Sequence, residues 1–224
     1  MSVAVCLVSG GLDSCVAAAE AKEMGLRLAF LHVNYGQLTQ SRERRAFESI
    51  ADHYGVVTRL SVDLDYLGII GGSALTDRSV ALPEGDLERT EIPPSYVPFR
   101  NGNLLSIAAS WAENLKAEYI FVGAVEEDSS GYPDCRETFF DAFEQLIEVG
   151  TRPETKLKIV TPLIHLTKHE IVVRGLELAA PLELTWSCYQ NEEVACGRCD
   201  SCFLRLRGFQ QAGIADPVPY VDRI

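Results

Sequence analysis

From Val3 to Val8 the chain is continuously apolar. It then breaks into Ser9-Gly10-Gly11-Leu12-Asp13-Ser14 and resumes with apolar residues at helical spacing through Val16, Ala17, Ala21 and Met24. A short apolar run closed by glycines reads as a buried strand, and the period after it reads as a helix. A strand that feeds a helix through a tight loop points to α/β architecture. The alternation recurs. Leu28 to Val33 and Val56 to Val62 are further apolar runs on either side of a polar helical stretch from about Ser41 to Tyr54. A helix from Asn103 to about Lys116, a strand from Tyr119 to Gly123, a helix near Glu137 to Val149 and a strand near Lys158 to Val160 complete the series. The expected fold is a doubly wound, five-stranded parallel sheet in which ligands gather at the carboxyl ends of the strands, near Ser9, Asn34, Gly123 and Thr161.

One stretch departs from this rhythm. From Asp63 to Pro98 the pattern dissolves into glycines, acidic residues and Pro93-Pro94, a length unusual for a plain connection. The expectation is one domain over 1–224, with a mobile excursion at about 64–97 over the active-site edge and a cysteine-rich segment at about 186–204.

The loop after the first strand has the makings of an anion site. Backbone N–H groups at a helix N-terminus, the helix dipole and the hydroxyls of Ser9 and Ser14 converge between Val8 and Ser14, and Gly10 and Gly11 let the main chain approach a phosphate closely. Asp13 can either help hold Mg²⁺ or cap the helix. A Walker A lysine and a Gly-x-Gly-x-x-Gly fingerprint are both absent, which weighs against ordinary γ-phosphoryl transfer and dinucleotide redox chemistry. Taken on spacing alone, the segment also fits a capped Gly-Gly turn.

Four of the seven cysteines, Cys188, Cys196, Cys199 and Cys202, are spaced x7, x2 and x2. Four thiolates suit a tetrahedral structural zinc with no position left for a reacting water. A ferredoxin-type cluster shares the Cys-x2-Cys-x2-Cys start but also needs a fourth cysteine followed by proline. Cys6 and Cys15 fall in core patterns, and Cys135 sits in a polar loop that suits an exposed or reactive thiol.

Two further segments offer polar groups. Val97-Pro98-Phe99-Arg100-Asn101-Gly102-Asn103 combines a ring, a guanidinium and amides just before a helix, suited to phosphate, carboxylate or a purine face, or simply to a turn and helix cap. Tyr132-Pro133-Asp134-Cys135-Arg136 follows the fourth strand and the acidic run Glu126-Glu127-Asp128. There Tyr132 can stack and Asp134 can meet a guanine-like N–H edge, or the loop is a solvated turn whose Arg136 neutralises nearby acids. Lys168 opens a later helix, either within reach of a nucleotide phosphate or as an ordinary surface lysine. His32 and His169 read as structural.

The net charge of −12 repels a nucleic-acid backbone and favours a small-molecule substrate. The first apolar run ends at Ser9, short of a signal peptide or membrane span, so the expectation is a soluble, cytoplasmic protein.

The Ser-Gly-Gly-Leu-Asp-Ser loop resembles that of the PP-loop, or N-type, ATP pyrophosphatases, a HUP-type fold like that of the adenine nucleotide alpha hydrolases. Together with Asn34-Tyr35-Gly36-Gln37, Val97 to Asn103, Tyr132 to Arg136, Thr185-Trp186-Ser187-Cys188 and Cys196 to Cys202, the chain resembles, over nearly its whole length, the 7-cyano-7-deazaguanine synthases of queuosine biosynthesis. That resemblance implies an ATP-dependent C–N ligase that adenylates 7-carboxy-7-deazaguanine, displaces AMP with ammonia to give an amide, and activates the amide again to expel its oxygen as a nitrile. It implies ATP with Mg²⁺ on Val8 to Ser14 and catalytic roles for Ser9, Asp13, Ser14, Arg100 and Lys168. Substrate contacts would come from Phe99, Asn101, Tyr132, Asp134 and Arg136, one structural Zn²⁺ would sit on the four cysteines, and the enzyme would be a homodimer without nucleic-acid or membrane partners. A tRNA-modifying sulfurtransferase or lysidine-type ligase would share the ATP chemistry but need a basic surface. A zinc-braced nucleotide-binding regulator would share the motifs without turnover.

Overall fold

The computed structural model describes residues 1–82, 91–126 and 131–221. β1 (Val3–Leu7) is buried at all five positions, as an apolar run without alternation requires of a strand covered on both faces. Its neighbours are β2 (Arg27–Asn34), β3 (Arg59–Asp63), β4 (Tyr119–Val122) and β5 (Lys158–Val160), all paired in parallel in the order β3-β2-β1-β4-β5. The order reverses between β1 and β4, which opens a crevice at their carboxyl ends.

The two-residue period of β1 distributes its side chains between two helical layers. Ala4 and Cys6, with Val8 beyond, pack with α1 (Leu12–Glu23), α2 (Gln40–His53) and α6 (Lys168–Glu177) through Leu12, Val16, Phe47, Ile50 and Ile171. Val3, Val5 and Leu7 pack with α4 (Arg100–Leu115) and α5 (Glu137–Gly150) through Leu105, Ala108, Phe140 and Phe143. Each large side chain removed from water contributes roughly 1.5–3 kcal/mol, so both faces of the sheet hold their helices firmly. Burial also pushes the Cys15 thiol up to about 12 and raises that of Cys6, in keeping with inert core cysteines.

Several boundaries differ from the sequence reading. β3 begins at Arg59, because Val56 turns inward while Val57 is solvent-exposed and ladder pairing starts only where the Thr58 carbonyl accepts from Phe30 N. α4 begins at Arg100 rather than Asn103. The stretch 64–97, whose residues 83–90 lie outside the described ones, contains a short helix α3 (Asp65–Ile70). Its Leu67, Leu75 and Val97 bury against Tyr35. A final helix, α7 (Asp200–Gln211), follows the cysteine run.

Candidate functional site

The loop between β1 and α1 folds on its own hydroxyls. Ser9 Oγ and Ser14 Oγ lie 3.1 Å apart, the Ser9 and Gly11 amides donate to Ser14 Oγ and Ser9 Oγ at 3.2 Å, and Ser14 Oγ donates to the Gly11 carbonyl at 3.0 Å. Two glycines are sterically required around it. Gly10 has φ +94°, and a Cβ there would stand 2.5 Å from the Glu43 carbonyl of α2. A Cβ on Gly123, just past β4, would stand 2.6 Å from Asp13 C and Ser14 N. The loop is thus wedged between α2 and the end of β4, and the Trp186 amide holds it from the C-terminal side through Gly10 O at 2.8 Å.

Asp13 does not cap α1, whose N-cap residue is Gly11 and supplies no capping side chain. Instead both Asp13 oxygens accept from Lys168 Nζ, at 2.8 and 2.9 Å. Lys168 is buried, not a surface lysine. Thr167 caps α6 ahead of it and forms a reciprocal capping box with Glu170, which fixes the direction of the helix start.

This corner opens into a cavity of about 280 Å³. Its lining includes Ser9, Gly11, Asp13, Ser14 and Lys168 together with Tyr35, Glu43, Arg100, Asn101 and Tyr132. Arg100 Nη1 donates to Tyr35 Oη at 3.0 Å with its guanidinium 5.2 Å from the ring centre. Burial pushes the Tyr35 phenol up to about 12 and raises that of Tyr132, so both remain neutral hydrogen-bonding rings near neutral pH. Cys135 also lines the cavity and is buried, accepting from Asn101 Nδ2 at 3.3 Å, in contrast to the exposed thiol its polar surroundings suggested.

The other anticipated substrate residues stand elsewhere. Phe99 is 57% exposed and packs edge-on against Phe139. Arg136 is exposed at the start of α5. Asp134 is buried at 3% and accepts from Asn101 N at 2.9 Å while its carbonyl takes Asn101 Nδ2 at 2.7 Å. It therefore satisfies an unpaired amide in the first turn of α4, a task left open because neither Asn101 nor Asn103 caps that helix. Of the acidic run beside it, Glu127 and Asp128 lie outside the described residues. Glu43, Trp186, Ser187, Asp200 and Ser201 line the cavity without having been singled out for roles. The signal available for the first of them was the Asn34-Tyr35-Gly36-Gln37 segment that follows β2 into α2.

Cys188, Cys196, Cys199 and Cys202 are buried, with all four sulfurs within 4.8 Å of one another. Cys196 Sγ and Cys202 Sγ are 3.9 Å apart, close to the ~3.8 Å that a tetrahedron with metal–sulfur bonds of about 2.3 Å requires. The amides of Gln190, Asn191 and Cys196 donate to Cys188 Sγ and that of Cys199 to Cys196 Sγ, at 3.3 to 3.4 Å, as suits sulfurs carrying negative charge. The group can therefore hold a metal. Behind it, buried Arg205 of α7 binds Asp216 at 2.7 and 3.0 Å and Thr185 Oγ1 at 2.6 Å. This pair fastens the chain end to the segment that reaches Gly10. Among the described residues no helix is long and apolar enough to cross a membrane.

Comparison with known proteins agrees with this geometry. The family model described as "Queuosine biosynthesis protein QueC" matches residues 3–213. A 7-cyano-7-deazaguanine synthase of Chlorobaculum parvum is 59% identical over 220 residues, 98% of this chain and 97% of that protein. One of Chlorobium phaeobacteroides is 58% identical over the same shares. Among solved structures, a 4-thiouridine synthetase–RNA complex with bound ATP superposes with a TM-score of 0.54 at 20% identity, over 95% of this chain and 50% of that one. A "predicted subunit of tRNA methyltransferase" from Methanocaldococcus jannaschii gives 0.51 at 15% identity, over 79% and 75%; both likenesses concern the fold. By its match along nearly its whole length, the chain belongs to the QueC family of queuosine biosynthesis, that of the 7-cyano-7-deazaguanine synthases.

Proposed function

We propose that the cavity beside the Ser9–Ser14 loop is where 7-carboxy-7-deazaguanine, ATP and ammonia become 7-cyano-7-deazaguanine. The observation that supports this most is one continuous cavity joining a phosphate-type loop to a subsite of tyrosines and an arginine. Ser9, Gly10, Gly11, Leu12 and Ser14, following Val8, would hold the β- and γ-phosphates by backbone N–H groups and hydroxyls. Lys168, kept in place by Asp13, would neutralise charge on the phosphates as the carboxylate oxygen attacks the α-phosphorus and pyrophosphate departs. Arg100 would orient the carboxylate, Tyr132 would stack on the deazapurine, and Asn101 would offer an amide to its edge. Asp134 would act behind them by holding Asn101.

Mg²⁺ would be held chiefly by ATP oxygens with Asp13 as the nearest protein carboxylate, and it would offset phosphate charge. Zn²⁺ on the four cysteines would be structural, since four thiolates leave no coordination position for a reacting group. The rest follows from positioning. Adenylation turns the carboxylate oxygen into a good leaving group, ammonia displaces AMP, and the amide passes through a second activation at the same site. We further propose a single domain, a homodimer and a cytoplasmic enzyme, with no nucleic-acid or membrane partner.

Incubation with ATP, Mg²⁺, the acid and heavy-nitrogen ammonium tests the reading. The nitrile should carry the label. Unlabelled nitrile, or none, would contradict it.

A further inference from the structure

The Asn34-Tyr35-Gly36-Gln37 segment and the start of α2 do more than lead the chain away from β2. Gln37 is 4% exposed, and its Oε1 accepts from Tyr35 N at 2.8 Å, which fixes its Nε2 as the group pointing to Glu43 Oε2 at 3.1 Å. Thr39, 1% exposed, donates its hydroxyl to the other oxygen of Glu43 at 2.7 Å. Two buried neutral donors therefore hold one carboxylate, one per oxygen, and each oxygen keeps a lone pair for a further partner. Glu43 lines the same cavity as Ser9, Ser14 and Arg100. The backbone carbonyl of Glu43 is the atom against which Gly10 is packed, so the backbone of Glu43 is fixed against the loop.

Burial is the largest influence on Glu43 and raises its proton affinity above that of an ordinary glutamate. Thr39, Gln37 and the charge of Arg100 act in the opposite sense, and Glu192 of the C-terminal segment adds to the rise. The other carboxylate in the phosphate corner, Asp13, is given over to Lys168. Glu43 is thus a preoriented carboxylate that neither the adenylation chemistry nor the packing described above uses.

The geometry points to Glu43 as the site that binds ammonium and takes its proton, so that ammonia is generated beside the activated acyl carbon. This rests on the ammonia-dependent reading above. Near neutral pH the nitrogen source is overwhelmingly NH₄⁺, which has no lone pair to attack with. Ammonium would bind the free lone pairs of Glu43 and give up one proton to the carboxylate. The nitrogen lone pair then forms the C–N bond as the C–O bond to AMP breaks, the electron pair leaves with the AMP phosphate, and the second excess proton leaves with AMP. No oxidant or further reactant enters.

Glu43→Gln keeps the shape and removes the base. The test compares wild type and E43Q in three assays: acid-dependent ATP–pyrophosphate exchange, amide formation from ammonium, and hydroxamate formation from hydroxylamine, a nucleophile already largely neutral at neutral pH. The expected result for E43Q is exchange within about threefold of wild type, ammonium-dependent amide formation reduced by ~10²-fold or more, and hydroxamate formation largely retained. Ammonium-dependent turnover near wild type would overturn the proposal, as would equal loss of exchange, amide and hydroxamate, which would make Glu43 a structural or adenylation residue. Wild-type protein without acid-dependent exchange would overturn the adenylation reading itself, and the proposal with it.

Discussion

Lys168 grips both oxygens of Asp13, at 2.8 and 2.9 Å, across 155 positions of sequence. The contact ties the first turn of α6 to the first turn of α1, so the carboxylate of the Ser9–Ser14 loop and the cation that balances it are installed together. A loop rich in N–H donors becomes selective for polyphosphate when a fixed cation stands beside it.

Replacing that cation is the first test of the assignment. Lys168→Met keeps most of the stem but leaves Asp13, about a third exposed in its side chain, without its partner. The variant should lose ~10²-fold or more in kcat/KM and about 1–3 kcal/mol of stability. Steady-state kinetics and urea unfolding measure the two. A variant within threefold of wild type would remove Lys168 from the phosphate site.

Gly123→Ala tests the wedge. The new methyl would meet main-chain atoms of Asp13 and Ser14 at 2.6 Å, and backbone cannot swing aside as a flexible side chain can. The expected outcome is a KM for ATP raised about tenfold or more and a stability loss of about 1–3 kcal/mol. An unchanged KM would show that the loop tolerates displacement.

Much of this architecture was legible beforehand, and the exceptions have physical causes. Runs such as Val3 to Val8 announce buried parallel strands because both faces are covered, and the four cysteines announce themselves by spacing. α7 was concealed because its buried face consists of Cys202, Arg205, Gly208 and Phe209. An arginine satisfied by Asp216 and Thr185 interrupts the apolar period by which helices are read. Asp134 looked like a free acid because its partner, the amide of Asn101, lies 33 positions away. The Lys168–Asp13 pair arises in the same way, across 155 positions, whereas Glu43 is seated by Gln37 and Thr39, six and four positions away, through polar contacts that apolar periodicity does not register.

Cys199→Ser should weaken metal binding and stability together, since a closed thiolate site contributes folding free energy directly. Because Trp186, next to this module, bonds Gly10 of the loop proposed to hold ATP, ATP affinity should fall with metal content. Elemental analysis, thermal melting and ATP titration on the same preparation check this. Zinc in the wild type at one per chain is the expected baseline, and melting unaffected by the substitution would contradict a structural role.

His32 supplies a pH dependence. It is 1% exposed, and burial, outweighing its hydrogen bonds with the Val8 carbonyl and Asn34, lowers its pKa from the ordinary value. As pH falls through about 6.5, the unfolded chain takes up a proton that the folded chain resists. The unfolded state then binds more protons, so this contribution to stability is present above that pH and is lost below it. Urea unfolding followed from slightly alkaline to mildly acidic pH should show a steeper decline for wild type than for His32→Gln. Equal slopes would contradict the assignment.

The most direct measurement follows acid, amide, nitrile and nucleotides together by mass spectrometry, in purified, metal-loaded protein given Mg-ATP, ammonium and 7-carboxy-7-deazaguanine. The account predicts that amide appears first, that nitrile follows from it at the same site, and that AMP and pyrophosphate accumulate with each activation. Folded, metal-loaded protein that leaves the acid unconverted would contradict it.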